Sequence, residues 1–482
     1  MAPTDRPEGR PEGRAFALGL LGIALVTLWR LALLPFDSAD LFVDDAQYWF
    51  WGQTLDWGYY SKPPLIAWIL RLSTDLGGDA RVFIRLPMPL IHAATAVTVA
   101  LVARRLYGPR AGGIAGFAFA TLPAVALASL LVSTDTPMLL CFALALLAQL
   151  HLAERRSAGW AILLGAAVGT GLMAKYAMIY FPLSAALAAL LLPSARIAWR
   201  DALLAALVAL LLVAPNLVWN AANQFATLHH TADNADWRGP SLDLAGLAEF
   251  LAGQFAVAGP VFFAAYLAGL RRAGDPTRAF LALMSLPVFA IVSVQALVSG
   301  ANANWAAAGH LAALVLATAV LAPRPRLLAL GLAINLAVTL ALPVAAVFAD
   351  SWRMGGNLVL HRYVGQSALS RHAADVAREN GLDTLVSGSR AMLADFFYTL
   401  RESGLAIYAE PTQGFPPHHY AQKHPLPPGT GDVLFVTRNG EGPACRTAVP
   451  FAEVARWRPA EGYVTGDIFA FRVPRACWFP EV

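Results

Sequence analysis

The chain has 482 residues, of which 57% are hydrophobic and only 14% charged, with a net charge of +4. Soluble globular chains carry about 25% charged residues, so this shortage excludes a soluble protein and implies repeated membrane spans. No basic stripe or nucleic-acid motif is present, which removes that class of partner.

Residues 1–14 are polar, with Arg6, Arg10 and Arg14 in a repeated Arg-Pro-Glu-Gly pattern, and read as a cytoplasmic tail. The first apolar run, 15–34, is long enough to cross about 30 Å of hydrocarbon at roughly 1.5 Å per residue. It ends without a small-residue cleavage site, so it reads as a retained span rather than a signal peptide. Further runs lie near 82–103, 112–132, 136–153, 158–174, 177–193, 202–219, 247–270, 279–299, 305–322 and 327–349, giving eleven expected spans. Alternate connections carry Arg104, Arg105 and Arg110; Arg155 and Arg156; Arg196 and Arg200; Arg271, Arg272 and Arg278; Arg324 and Arg326. The positive-inside rule makes these cytoplasmic, together with the N-terminus. The connections at 35–81, near 134, at 220–245 and at 300–304 then face outward, as does the chain beyond 349. For a bacterial protein the membrane is the inner one and the outer side is the periplasm.

After Ala349 charge returns and long apolar runs cease. Helices are expected at 371–380, ending at Gly381, and at 392–400. Strands are expected at 384–386, 405–408, 433–437 and 468–473. Residues 350–482 therefore read as a small α/β domain outside the membrane, following a membrane-embedded unit at 15–349. Cys445 and Cys477 both fall in this domain and are expected to pair in an oxidising compartment. Cys141 lies within a span and reads as packing.

The outward connections hold most of the polar residues that packing does not explain. The first, 35–81, carries Asp44 and Asp45 before an aromatic cluster, Tyr48, Trp49, Phe50 and Trp51, and then Tyr59-Tyr60-Ser61-Lys62-Pro63-Pro64. As a helix, 44–51 places Asp44, Tyr48 and Trp51 on one face, with the rings expected at the membrane–water interface. Ser61 is a candidate cap for a short helix after Pro64, whose N-terminus beside Lys62 would suit a phosphate; the bland alternative is a lysine reaching for water. Asp135, in Ser133-Thr134-Asp135-Thr136-Pro137, fits a helix cap and a functional carboxylate equally. Lys175 stands outside the arginine pattern and suits a bound anion. Asn220 and His230 are candidate substrate contacts, as are Tyr48 and Tyr60. His229, His230 and Asp233 invite a divalent metal, but no metal motif with further spaced ligands accompanies them. No cofactor is otherwise implied.

In their order along the chain, Asp-Asp-Ala-Gln-Tyr-Trp, Tyr-Tyr-Ser-Lys-Pro-Pro-Leu-Ile-Ala-Trp, Thr-Asp-Thr-Pro, Lys-Tyr and Pro-Asn-Leu-Val-Trp-Asn resemble bacterial glycosyltransferase family 39. These are GT-C-fold membrane enzymes related to protein O-mannosyltransferases and the lipid A aminoarabinose transferase. The resemblance spans roughly residues 15–420. It implies a mainly α, polytopic GT-C fold and inverting transfer of a sugar from a polyprenyl-phosphate donor to an acceptor hydroxyl on a lipid, glycan or protein at the outer face. By position it makes Asp44 the catalytic base with Asp45 beside it, and Lys62 the holder of the donor phosphate. Asp135 and Lys175 would line the same cavity. Two departures stand out. Asp45 replaces the usual Glu, and Gln47 stands where the aminoarabinose transferase has an arginine, so the phosphate grip must differ.

The residues support that chemistry independently. A polyprenyl phosphate leaves readily, so transfer needs a base for the acceptor proton and positive charge for the departing phosphate. The alternatives are a lipid or sugar transporter, which calls for mid-membrane charges and repeated halves, and a scaffold, which gives Asp44, Lys62 and Lys175 no role. Neither matches charges gathered at the outer edge.

Overall fold

The computed structural model describes residues 10–235, 242–271 and 274–479. Residues 1–9 of the expected tail, Arg272 of one arginine-bearing connection and 236–241 of the fourth outward connection lie outside the described residues.

The chain is mainly helical. The membrane unit comprises α1 (Arg10–Leu33), α2 (Val43–Gly52), α3 (Leu65–Gly77), α4 (Arg81–Arg85), α5 (Pro87–Tyr107), α6 (Pro109–Ala120), α7 (Pro123–Ala128), α8 (Asp135–Glu154), α9 (Ala158–Ala174), α10 (Tyr180–Leu191), α11 (Trp199–Ala222), α12 (Ala226–Ala235), α13 (Leu244–Ala258), α14 (Pro260–Leu270), α15 (Pro276–Ser299), α16 (Gly309–Leu321) and α17 (Pro325–Val347). Every apolar run of the sequence is helical, but not every run is one straight helix. Among the described residues six segments are long and apolar enough to cross a membrane, or seven if α13 and α14, bent by 112° at Gly259, form one span. Pro123 divides the 112–132 run into α6 and α7, and α9, α10 and α16 are shorter apolar helices. A proline or glycine break shortens a helix without shortening the run that contains it. Close helix approach explains some glycines: a Cβ on Gly19 would sit 2.4 Å from the backbone of Gly113, where α1 crosses α6.

The connections sort to two ends of the bundle, as the alternation of arginines requires. At one end Arg105 pairs with Glu154, and Arg156 lies 3.8 Å from Asp201. At the other, Lys175 pairs with Asp135, and Asn304 and Ser133 also reach that carboxylate.

The C-terminal region holds a short hairpin, β1 (Arg353–Met354) with β2 (Asn357–Leu358), and then α18 (Gln366–Glu379), β3 (Thr384–Ser387), α19 (Arg390–Thr399), β4 (Ala406–Ala409), α20 (His419–Lys423), β5 (Asp432–Thr437), β6 (Ala452–Trp457) and β7 (Ile468–Pro474). The sheet order is β4-β3-β5-β7-β6; β3 runs parallel to β4 and β5, and β7 antiparallel to β5 and β6. The hairpin and β6 have no counterpart among the expected strands. In β6 the residues are mostly exposed or half-buried, so alternation is weak at this edge.

The two faces of the sheet bury different things, as strand alternation dictates. Val386, Val433, Phe435, Phe471 and Val473 make one small core with Trp478 and Cys477, and Cys477 is disulfide-bonded to Cys445 with Cα atoms 4.6 Å apart. Leu385, Leu434, Val436 and Ala470 face the other way. They share a core with α18, α19 and with Tyr48, Trp49, Trp51, Ile66 and Leu70 of the first outward connection. Residues 35–81 and 350–479 are thus packed as one body.

Candidate active site

The sequence forms α2 as expected, and its rings pack against protein. Trp49 packs edge-on to Tyr398 and Phe50 packs on Phe397, both from α19, while Trp51 stacks on Tyr59. Tyr48, Trp49 and Trp51 are all buried. The aromatic density seals α2 against the C-terminal domain and gives the carboxylates a rigid support.

The two adjacent carboxylates, one residue apart on a helix, point to different environments. Asp44 is half-exposed and forms an ion pair with Arg390. Asp45 is 1% exposed, accepts from the Val132 N–H at 3.0 Å and lies 3.7 Å from the Arg85 guanidinium. Burial pushes the Asp45 carboxyl up to about 7, against the pull of Arg85. Asp45 is thus enclosed by Arg85 and the 132 backbone, in contrast to half-exposed Asp44. Arg85 also donates to Asp37 at 2.8 Å and to the carbonyls of Ala39 and Asp40 at 3.2 and 2.6 Å, tying the start of the loop together. An arginine inside the 82–103 apolar run was the signal that could have drawn attention to it.

Lys62 precedes α3, whose cap is Pro64 with no side-chain hydrogen bond. Ser61 does not cap; it is buried and its hydroxyl accepts from Gln47 at 3.5 Å. The Lys62 amine has no ion pair among the described residues. Burial first and the Lys175 charge second pull it down to about 8, while Asp44 and Asp135 act in the opposite direction. Lys62 thus sits within the field of Lys175, Asp44, Asp135 and Arg390.

Lys175 caps the C-terminus of α9, in the break before a 3₁₀ turn at Tyr176–Ile179. Its amine donates to Asp135 at 2.7 Å, and Asn304 donates to the same carboxylate at 3.3 Å. Asp135 is the first residue of α8 and Thr134 the cap, so the carboxylate answers a lysine rather than its own helix. Asn220 is buried and donates to the Tyr176 hydroxyl at 2.9 Å; that hydroxyl donates to Asn216 at 2.6 Å, and Asn216 donates to the Trp57 carbonyl at 2.7 Å. This chain of bonds ties the Lys175 turn to α11 and to the first loop. The Asn220 amide nitrogen is thus committed to protein groups, while its oxygen is buried without a hydrogen-bond partner among the described residues.

Tyr60 donates to the Pro416 carbonyl at 2.8 Å and packs against His230 and Phe415. Burial, with Lys62 and Arg390 adding to it, pulls the His230 imidazole down to about 4, so it is neutral at physiological pH. His229 packs on Phe415, and among the described residues no three His, Cys, Asp or Glu side chains group to hold a metal. Both rings lie against aromatic neighbours. Together these contacts make the Phe415–Pro416 loop a wall of the site.

Arg390, the first residue of α19, was missed by reasoning from sequence. It donates to Gln47 at 2.6 Å as well as pairing with Asp44. Gln47 and Asp44, three residues apart on one face of α2, accept from the two sides of its planar fork. The Arg390 charge comes from more than 300 residues away in the chain, and no local motif marks it.

A family model described as dolichyl-phosphate-mannose-protein mannosyltransferase matches residues 61–219, a stretch that holds Lys62, Asp135 and Lys175. The lipid A galacturonosyltransferase RgtD of Rhizobium johnstonii is 41% identical over 472 residues, covering 96% of this chain and 99% of its own. Among solved structures, apo ArnT from Cupriavidus metallidurans superposes with a TM-score of 0.67 at 15% identity, over 95% of this chain and 98% of that one. The same protein bound to undecaprenyl phosphate gives 0.65 at 16% identity, over 93% and 97%. The Archaeoglobus fulgidus oligosaccharyltransferase gives 0.51 at 12% identity, over 87% of this chain and 69% of that one.

Proposed function

Because this chain belongs to the family 39-like GT-C membrane glycosyltransferases, we propose that it transfers one sugar from a polyprenyl-phosphate carrier to lipid A at the periplasmic face of the bacterial inner membrane. Galacturonic acid is the first sugar to test, because the relative at 41% identity is a lipid A galacturonosyltransferase. The observation that carries the reading is the gathering of one half-exposed carboxylate, Asp44, with Lys62, whose amine has no ion pair among the described residues.

In the proposed reaction an acceptor hydroxyl gives its proton to the Asp44 carboxylate as its oxygen attacks the anomeric carbon. The carbon–phosphate oxygen bond breaks on the opposite side, and the carrier phosphate leaves with the electron pair. Lys62 stabilises the charge on that phosphate, and Lys175, held by Asp135, adds to the field. Arg390 and Gln47 fix the Asp44 carboxylate in direction. Displacement from the face opposite the leaving group inverts the anomeric configuration, as one carboxylate acting as base requires.

The test is transfer from a labelled polyprenyl-phosphate galacturonic acid to lipid A by the purified protein in lipid vesicles, with the product's anomeric configuration read by NMR. Product with retained configuration, or no product with this donor and with neutral-sugar donors alike, overturns the reading.

A further inference from the structure

A cleft of about 650 Å³ opens between the start of α2 and the C-terminal domain. Val43, Arg390 and Ala391 line it, as do Arg362, Arg438 and Tyr463. Its charge is one-sided. Arg362, Arg390 and Arg438 line it together with His361, and no carboxylate does. Arg390 is answered by Asp44, but Arg362 and Arg438 have no ion pair among the described residues; Arg362 lies over the Tyr463 ring. The N-terminus of α19, capped by Ser389, opens into the same space and adds unpaired backbone N–H groups. Arginines directed into one concave space without a counter-charge suit an oxygen-rich anion, which their planar forks can grip in two bonds each.

We propose that this cleft is the acceptor subsite, and that it takes a phosphate- or carboxylate-bearing sugar headgroup so that a neighbouring hydroxyl meets Asp44. The proposal rests on the glycosyltransferase reading above. Lys62 and Lys175 lie among the membrane-helix connections, whereas Arg362 and Arg438 belong to the C-terminal domain. The two sets of cations thus serve different anions, the donor phosphate and the acceptor. Asp44 pairs with Arg390, which lines the cleft. Arg390 touches both the carboxylate and the cleft, so an anion seated beside it would sit within one arginine of the base.

The experiment uses the full-length protein in vesicles, with the Arg362→Gln/Arg438→Gln double variant. Steady-state transfer is measured to lipid A carrying its phosphates and to the same lipid with them removed. The double variant should raise the acceptor KM at least about tenfold for the phosphorylated lipid, with donor KM and kcat within about twofold of wild type. Acceptor KM for the dephosphorylated lipid should be high in wild type and change little. Inorganic pyrophosphate should compete with the acceptor and not with the donor. An unchanged acceptor KM in the double variant, or pyrophosphate competing with the donor, overturns the assignment. Pyrophosphate binding to the purified protein, read by calorimetry, should be weakened in the double variant and restored in part in Arg362→Lys/Arg438→Lys. That arm needs no turnover, so it decides the cleft even where the transfer reading itself fails. Matching unfolding temperatures of variant and wild type guard against a misfolded chain.

Discussion

The proposed reaction assigns the base to Asp44 and the donor phosphate to Lys62, and each assignment makes a separate prediction. Asp44→Asn keeps the size of the side chain and its contact with Arg390 but removes the base. Turnover should fall by roughly 100- to 10,000-fold, while donor binding, measured by equilibrium titration with a fluorescent polyprenyl phosphate, should stay close to wild type. Near-normal turnover would take the base role away from Asp44. Lys62 gives a pH signature. Its amine is lowered to about 8, and in the proposed role it would bind phosphate in the protonated form. Donor affinity is therefore full below that value and falls as pH rises through it. The donor KM should climb between about pH 7 and 9 in wild type, and Lys62→Arg should remove the climb because a guanidinium stays charged. A flat donor KM in wild type would place the phosphate contact elsewhere.

At the scale of elements, α2 and α19 act as a pair. The rings of α2 pack on Tyr398 and Phe397, and Arg390 at the start of α19 reaches back to Asp44 and Gln47. Arg390→Lys keeps the charge but cannot reach both acceptors, so it should lower kcat/KM by about 10- to 100-fold without lowering the unfolding temperature. Full activity in this variant would mean that the packing of α2 alone orients Asp44. The junction of α8 and α9 offers a second case. Lys175 and Asp135 are mostly shielded partners 2.7 Å apart, joined by Asn304. Asp135→Asn should cost activity through the displaced Lys175 amine, and the effects of Asp135→Asn and Lys175→Gln on transfer should be strongly non-additive. Additive losses would show that the two act separately.

For the whole molecule, the decisive feature is that the first outward connection and the C-terminal domain share a core while the disulfide lies on the far face of the sheet. The bond closes a loop across a sequence separation of 32, which contributes about 3 to 4 kcal/mol in the chain-entropy view. Cys445→Ser/Cys477→Ser should lower the unfolding temperature of the C-terminal domain. Transfer well below that temperature should persist, because Arg390 and Arg438 are positioned through β3, β5 and the core shared with α2. Loss of transfer at low temperature, with the fold intact by circular dichroism, would show that the far face also sets the site.

Much of the architecture was legible because it is written in local properties. Charge depletion, apolar runs and the alternation of arginines gave the helices and sorted their connections to two ends, since each reflects the cost of placing polar groups in hydrocarbon. Glycine at 381 and the short apolar stretches gave α18, α19 and most strands within a few residues. Asp44, Lys62, Asp135 and Lys175 were legible for the same reason: charge where packing asks for none. What only the tertiary structure decided was partnership. One residue of register separates half-exposed Asp44 from Asp45, sealed against Arg85, and no sequence rule says which side of α2 meets the domain. Asn220 and Lys175 are alike as isolated polar residues in sequence; in the fold, Asn220 is held by Tyr176 and Asn216, while Lys175 answers a carboxylate. The kinks at Pro123 and Gly259, the shared core and the arrival of Arg390 beside Gln47 all depend on contacts between distant segments. Local sequence fixes which groups are available, but the long-range packing of apolar faces determines which of them meet.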